Sequence, residues 1–421
     1  MEENRYLCID LKSFYASVEC VERGLDPMKT NLAVADPERG KGALCLAISP
    51  SMKALGIKNR CRVYQIPAHV EYIMAPPRMK RYIEYSADVY AVYLKYLAKE
   101  DIHVYSIDEA FLDVAQYLEL YQRTARELAV QIMADIKETT GIPAAAGMGT
   151  NLYLAKVALD LTAKQTEDSI GYLDEALYQK TLWNHRPLTD FWRVGEGIAN
   201  RLARAGILTM GEIAHAEEEM LYRMFGIDAE LLIDHAWGRE SATMADIKSY
   251  QPKSSSLSSG QVLLRDYSFE ECRLLIKEMV DALCLDLADQ GLTARSVSLV
   301  VGYSYETAMK PAAGSVSMPA PANSYQEIIP CVLRLYDRIV QRGRPIRRLN
   351  VTCSGIGAEA YEQYELFTDY EAVERERKLQ QAVLEIKRRF GKNALVRGMD
   401  LLEAGTAMKR NRQIGGHRSG E

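Results

Sequence analysis

Three acidic residues open the chemistry of this chain: Asp10, which ends the apolar run YLCID, and the adjacent Asp108 and Glu109 inside SIDEAFLD. A carboxylate in a half-buried strand is costly unless a positive or hydrogen-bonding group meets it. Acids at the ends of neighbouring strands converge on one sheet edge, where bound cations relieve their repulsion. Two hard divalent ions, Mg²⁺ by preference, take such oxygen ligands together with substrate phosphates. A pair of them can activate a 3′-hydroxyl and stabilise a leaving pyrophosphate. A lysine-bearing helix at 154–157 would stand beside them. The spacing alone equally fits an exposed hairpin turn at Asp108–Glu109.

The flanking sequence says how these residues are positioned. YLCID predicts a strand, and LKSFYASVECVE a helix with Phe14, Val18 and Val21 on one face. Residues 36–67, rich in Gly, Pro and basic residues, read as a small separate lobe. A helix from about 78 to 99 leads to two strands on either side of the Asp-Glu pair, which puts the carboxylates at a hairpin tip. A helix over 121–140 precedes a small-residue strand, a turn and a helix over 141–164. Helices and turns fill 168–240, and SYQPKSSSLSSG has linker composition. Beyond it, 261–355 alternates helix and strand as a small α+β domain, and 369–421 reads as a basic helical tail with weaker core character.

At 421 residues the chain is too long for one ordinary core. No apolar run approaches a membrane span. The N-terminus lacks a basic, cleavable leader pattern and reads as cytoplasmic. Eight cysteines without CxxC spacing argue against zinc or a disulfide framework. The net charge of −5 is uneven: 334–421 holds 18 Lys+Arg against 12 Asp+Glu, and the remainder 34 against 45. A basic C-terminal third suits a polyanion, or is simply a solvated helix face.

Four ordered motifs add specificity: D-x-x-x-F-Y-A-S-V-E at 10–19, S-P-x-x-K-A-L-G-I at 49–57, Y-S-I-D-E-A-F-L-D at 105–113 and G-x-G-x-N-x-x-L-A-K at 147–156. Together they resemble the Y family of translesion DNA polymerases, and DPERGKG with the tail NALVRGMDLLEAGTAMKRNRQIGGH points to its UmuC-like branch. The resemblance implies an α+β right-hand polymerase. Its palm, ferredoxin-like, would be 1–19 plus 77–165, its fingers 20–76, its thumb 166–240, with a linker 241–260, an α+β little finger 261–368 and a tail 369–421. Asp10, Asp108 and Glu109 would be catalytic and hold two Mg²⁺ ions with the Leu11 carbonyl. Tyr15 would be the steric gate against ribose, beside Phe14. Ser49, Lys53 and Lys156 would hold the incoming dNTP. The finger departs from many relatives at Pro50, Ser51 and Lys53, which removes stacking and bidentate options over the triphosphate. Its roof would be Leu44, Leu46 and Ile48.

RVGEGIANRLARAGI fits the family's helix-hairpin-helix, with Gly195 and Gly197 in a turn that lets backbone amides approach a DNA phosphate. QYELF resembles a sliding-clamp peptide, with Gln363, Leu366 and Phe367 as its anchors. Expected partners are primer–template DNA, dNTP, the clamp and, in this branch, a recombinase filament or accessory protein; a monomer without a membrane partner is expected. The competing readings are a clamp-tethered damage-tolerance factor without turnover, and a nucleotide cyclase.

Overall fold

The computed structural model describes residues 5–252, 255–359 and 370–420, and the chain divides into two compact units, Met1–Tyr250 and Gln251–Ser419. The first unit runs β1 (Tyr6–Leu11), α1 (Phe14–Val21), β2 (Leu32–Val34), β3 (Ala47–Ile48), α2 (Pro50–Ala54), β4 (Ile73–Ala75), α3 (Met79–Tyr93), β5 (Ile102–Val104), β6 (Glu109–Asp113), α4 (Ala115–Tyr121), α5 (Ala125–Thr140), β7 (Ala144–Gly149), α6 (Leu152–Val157) and β8 (Ile170–Leu173). It ends in helices α7 (Glu175–Leu182), α8 (Glu196–Arg204), α9 (Met210–Ala214), α10 (Glu218–Phe225), α11 (Asp228–Trp237) and α12 (Met244–Ser249).

Its main sheet has the order β5-β6-β1-β7-β8, with β1 antiparallel to both neighbours. A central strand is covered on both faces and therefore reads as an unbroken apolar run. Leu7, Ile9 and Leu11 pack with α3 and α5, whereas Tyr6 and Cys8 pack with Phe111, Leu152 and Ala155 on the α6 side. Asp10 follows Cys8 in the period of two and so belongs to the α6 side. Helix α5 starts where Thr124 and Glu127 form a capping box and stops at left-handed Gly141. That break after Tyr121 divides the single expected helix from its predecessor α4.

Helix α6 lies directly on the sheet. A Cβ at Gly147 would overlap the Ala155 carbonyl, one at Gly149 the Ala155 amide, and one at Gly171 the Thr162 hydroxyl. After α6 the chain makes a π turn, Ala158–Thr162, in which the Thr162 hydroxyl donates to the Ala158 carbonyl at 2.7 Å.

The second unit comprises β9 (Ser256–Tyr267), α13 (Phe269–Asp289), β10 (Leu292–Tyr303), β11 (Ala312–Ala322), α14 (Tyr325–Ile339), β12 (Ile346–Ser354), β13 (Gly357–Ala358), α15 (Tyr370–Phe390), α16 (Ala407–Arg410), β14 (Gln413–Ile414) and β15 (His417–Arg418). Its four long strands are ordered β11-β10-β12-β9, and α13 and α14 bury one face.

The break between the units, after Tyr250, falls inside the expected 241–260 linker, whose two ends are taken up by α12 and the start of β9. Serine-rich composition imitates a linker when a strand has one open face, because that face needs no apolar side chains. The 369–421 tail is part of the second unit: Arg397 pairs with Asp281 at 2.7 Å, and Arg388 pairs with Asp289, both acids on α13.

Candidate active site and nucleic-acid interface

Cross-strand register brings the acids together, since Asp10 on β1 lies opposite Glu109 on β6 and the Leu11 amide donates to the Asp108 carbonyl at 2.9 Å. Burial first, and then Asp108 and Glu109, push the Asp10 carboxyl up to about 7. Such mutual repulsion in a set of hard oxygen donors fits a divalent hard cation.

Glu109 is turned to the protein. Its Oε1 accepts from Cys8 Sγ at 3.2 Å and its Oε2 from Lys156 Nζ at 2.9 Å. Among the described residues no three acidic, thiol or imidazole groups already close round one point. Glu109 would have to exchange one of these partners to act as a ligand.

Lys156 is correspondingly committed. Its ammonium is buried between Glu109 and Asp160, the latter at 3.1 Å; burial pulls its pKa down, but Asp160 and Glu109 outweigh that and raise it. This places Lys156 beneath the carboxylates. The Lys53 pKa, by contrast, is lowered by loss of hydration and by Lys164, against the pull of Asp10 and Asp108. Lys53 is thus within electrostatic reach of Asp10, Asp108 and Lys164.

Lys164 was not legible from spacing. Eight residues at 3.6 per turn would leave it about 80° round a regular helix from Lys156. The π turn Ala158–Thr162 and the 3₁₀ turn Ala163–Gln165 that follows it break that regular count.

Tyr15 stacks on Tyr82, and Tyr82 donates to the fully buried Glu19, which Arg78 holds at 2.8 Å. Phe14 is 2% exposed and sits in the core behind Tyr15, so it backs the pocket without lining it. Ser49 is also fully buried: its Oγ accepts the Leu32 amide at 3.1 Å and lies 3.1 Å from Ser51 Oγ, so the expected phosphate contact is not available. Ile48 is likewise enclosed in the finger core, while Leu44 is exposed.

The hairpin reading needs one correction. Gly195 is the N-cap of α8 and Gly197 is already inside that helix, and the element before the turn is only a 3₁₀ turn, Leu188–Asp190. Added Cβ atoms at both glycines meet open space. The Gln363, Leu366 and Phe367 peptide lies outside the described residues.

The second unit holds a surface whose order composition concealed. Register aligns Ser256, Ser354, Ser296 and Ser317 across β9, β12, β10 and β11, and next to them Ser258, Thr352, Ser298 and Ser315. Intervening Val297, Leu299, Val351 and Cys353 are buried, so this grid of eight hydroxyls faces away from the helices. Hydroxyls are phosphate donors that carry no sequence information.

Comparison with known proteins agrees with this geometry. Residues 9–160 match the impB/mucB/samB family and residues 254–366 its C-terminal domain. UvrX of Bacillus subtilis (strain 168), described as a UV-damage repair protein, is 32% identical over 416 residues, covering 98% of this chain and 97% of the relative. The chain belongs to the impB/mucB/samB family. Within it, DNA polymerase IV 2 of the same organism is 30% identical, with 99% of each chain covered. A Y-family DNA polymerase chimera of Dbh and Dpo4 superposes with a TM-score of 0.67 at 20% identity, over 84% of this chain and 99% of the other. The fold of this impB/mucB/samB protein is therefore that of a Y-family polymerase, α+β in both units.

Proposed function

We propose that the protein is a DNA-directed DNA polymerase that copies past damaged bases with low processivity. The observation that carries this reading is the meeting of Asp10, Asp108 and Glu109 at the ends of β1 and β6, with Lys53 within electrostatic reach of Asp10 and Asp108. Asp10 and Asp108, with Glu109 once released from Cys8 or Lys156, and the Leu11 carbonyl would hold two Mg²⁺ ions. When bound, these ions supply an activated primer 3′-hydroxyl and charge neutralisation on the leaving pyrophosphate.

The chain's own residues do the rest. Lys53 and Lys164 oppose the charge of the triphosphate as point cations. Tyr15, fixed by Tyr82, occupies the space a ribose 2′-hydroxyl would need. The start of α8, with Gly195 as N-cap and Gly197 in its first turn, and the hydroxyl grid take the DNA backbone without reading bases. QYELF is the segment we assign to the sliding clamp, whose tethering raises local concentration for a weakly processive enzyme.

Single-nucleotide primer extension with Mg²⁺, on undamaged and abasic templates and without clamp, tests the proposal. Wild type should incorporate on both, and Asp108→Ala should lose at least a thousandfold in rate. Asp108→Ala at wild-type rate would refute the metal assignment. Wild type that binds DNA without extending it would favour the tethered factor without turnover.

A further inference from the structure

An aromatic recess of about 220 Å³ opens beside the carboxylates, lined by His103, Tyr105, Phe111, Trp192, Arg193 and Tyr250 among others. Register fixes where it lies. Phe111, its floor, packs with Cys8 and Leu152 on the α6 side of the main sheet, and Glu109 stands two positions earlier on the same face of β6, about 7 Å away. His103 pairs with Phe111 across the hairpin, and the Tyr105 amide donates to the Glu109 carbonyl at 2.9 Å. The far wall is Trp192, whose Nε1 donates to Tyr105 Oη at 3.0 Å, and Trp192 and Arg193 stand just before Gly195, the N-cap of α8. The recess therefore lies between the carboxylates that receive the primer 3′ end and the helix start that receives the DNA backbone.

Its chemistry suits a nucleotide. Phe111 is enclosed, but Tyr105 is 45% and Tyr250 71% exposed, so two aromatic side chains present open surface. Such surface stacks with any base, because every base has a π face. The exposed Arg193 guanidinium lies over the Trp192 ring, 4.8 Å from its centroid, and among the described residues no carboxylate forms an ion pair with it. Burial first, and then Lys248, hold His103 below its ordinary range, which keeps that ring uncharged at neutral pH. None of the described residues lining the recess is acidic. Rings with one guanidinium free of carboxylates match a base and its phosphate, and a volume below the roughly 300–1,000 Å³ of ordinary small-ligand sites limits the occupant to a single unit.

We propose that this recess binds one unpaired nucleotide of the primer strand, its base against Tyr105 and Tyr250 and its phosphate at Arg193. The proposal rests on the polymerase reading. Stacked nucleotides advance about 3.4 Å per step along a strand, so a floor about 7 Å from Glu109 receives the nucleotide about two steps behind the primer end. A primer that carries an extra nucleotide there is held without first breaking a base pair.

Anisotropy titrations of the full chain test this by comparing a paired primer–template with one whose primer has an extra nucleotide about two steps from its 3′ end. Wild type should bind the bulged duplex about tenfold tighter than the paired one. Tyr250→Ala should abolish that preference at unchanged melting temperature, since Tyr250 is exposed. Arg193 has φ +67°, a left-handed conformation that glycine adopts without strain. Arg193→Gly should therefore raise the melting temperature and yet reduce the preference about fivefold, a combination that a purely structural arginine would not produce. Equal binding of the two duplexes by wild type, or full preference in Tyr250→Ala, overturns the proposal. The same preference for an extra nucleotide in the template overturns the choice of strand. Wild type that binds neither duplex removes the polymerase reading itself.

Discussion

Tyr15 lies flat on Tyr82, with ring centroids 4.4 Å apart and planes 16° apart, and the Tyr82 hydroxyl donates to Glu19 Oε1 at 2.9 Å. The ring assigned to sugar discrimination is thus positioned by a partner that is itself fixed by a buried carboxylate. Tyr15→Ala should raise ribonucleotide incorporation by a hundredfold or so. Tyr82→Leu, which removes a stacking partner worth about 1 kcal/mol, should raise it about fivefold with Tyr15 still present. Competition between rNTP and dNTP in primer extension measures both, and equal discrimination in Tyr15→Ala and wild type would refute the gate.

Removing Lys156 should expose the cost of what it covers. Glu109 and Asp160 would be left without their shared cation, and truncating one partner of a buried pair costs about 3–5 kcal/mol. Lys156→Ala is therefore expected to lower the melting temperature by several degrees and to reduce incorporation mainly in kcat. If its dominant effect were on KM for dNTP at unchanged stability, Lys156 would be a phosphate ligand after all.

Acid sensitivity should appear at the start of α13. The Glu271 carboxyl is drawn down to about 2, first by a hydrogen bond from Arg265 at 2.5 Å and then by the Ser268 amide at 2.8 Å. The unfolded chain, titrating near 4.5, takes up the proton first as pH falls. The stabilisation is therefore complete above about 4.5 and is lost as pH falls through about 2. Melting curves of wild type and Glu271→Gln should differ most at neutral pH and converge near pH 2; parallel curves would show that Glu271 contributes nothing across this window.

Gly171→Ala should be far more damaging than an added methyl group implies. Its Cβ would overlap the Thr162 hydroxyl and stand 2.5 Å from the Ala158 carbonyl, both in the π turn. Overpacking of this kind costs about 1–3 kcal/mol or more. Thermal melting of Gly171→Ala beside Gly24→Ala, where an added Cβ meets open space although φ is +68°, separates steric contact from the general cost of losing glycine. Equal losses in the two would contradict this account.

Local sequence was enough for some of this and not for the rest. Asp10, Asp108 and Glu109 were legible because each sits in a short apolar run whose period places it at a strand end. Lys164 was not, because one residue absorbed in a π turn breaks the helical count. The Ser256 and Ser258 column of the hydroxyl grid was read as linker, because the order of the grid exists only across four strands, with Ser258 opposite Thr352 and Ser298 opposite Ser315. Glu278 on α13, whose carboxylate accepts the Thr406 and Ala407 amides, looked like one more helix acid, since these partners lie 128 and 129 residues further along the chain. Ser49 failed in the opposite direction: a motif position with a polar side chain was spent on holding Leu32 inside the finger.

The glycine seam beneath α6 has a consequence for how this protein can change. Because Gly147 and Gly149 let the helix backbone rest on the strand backbone, the height of that helix is set by atomic radii, not by the size of intervening side chains. Substitutions that swell or shrink the apolar interior between the sheet and α3 or α5 can shift those helices and alter stability. They do not lift α6. Lys156, which it carries beneath the carboxylates, is thereby insulated from drift in the core.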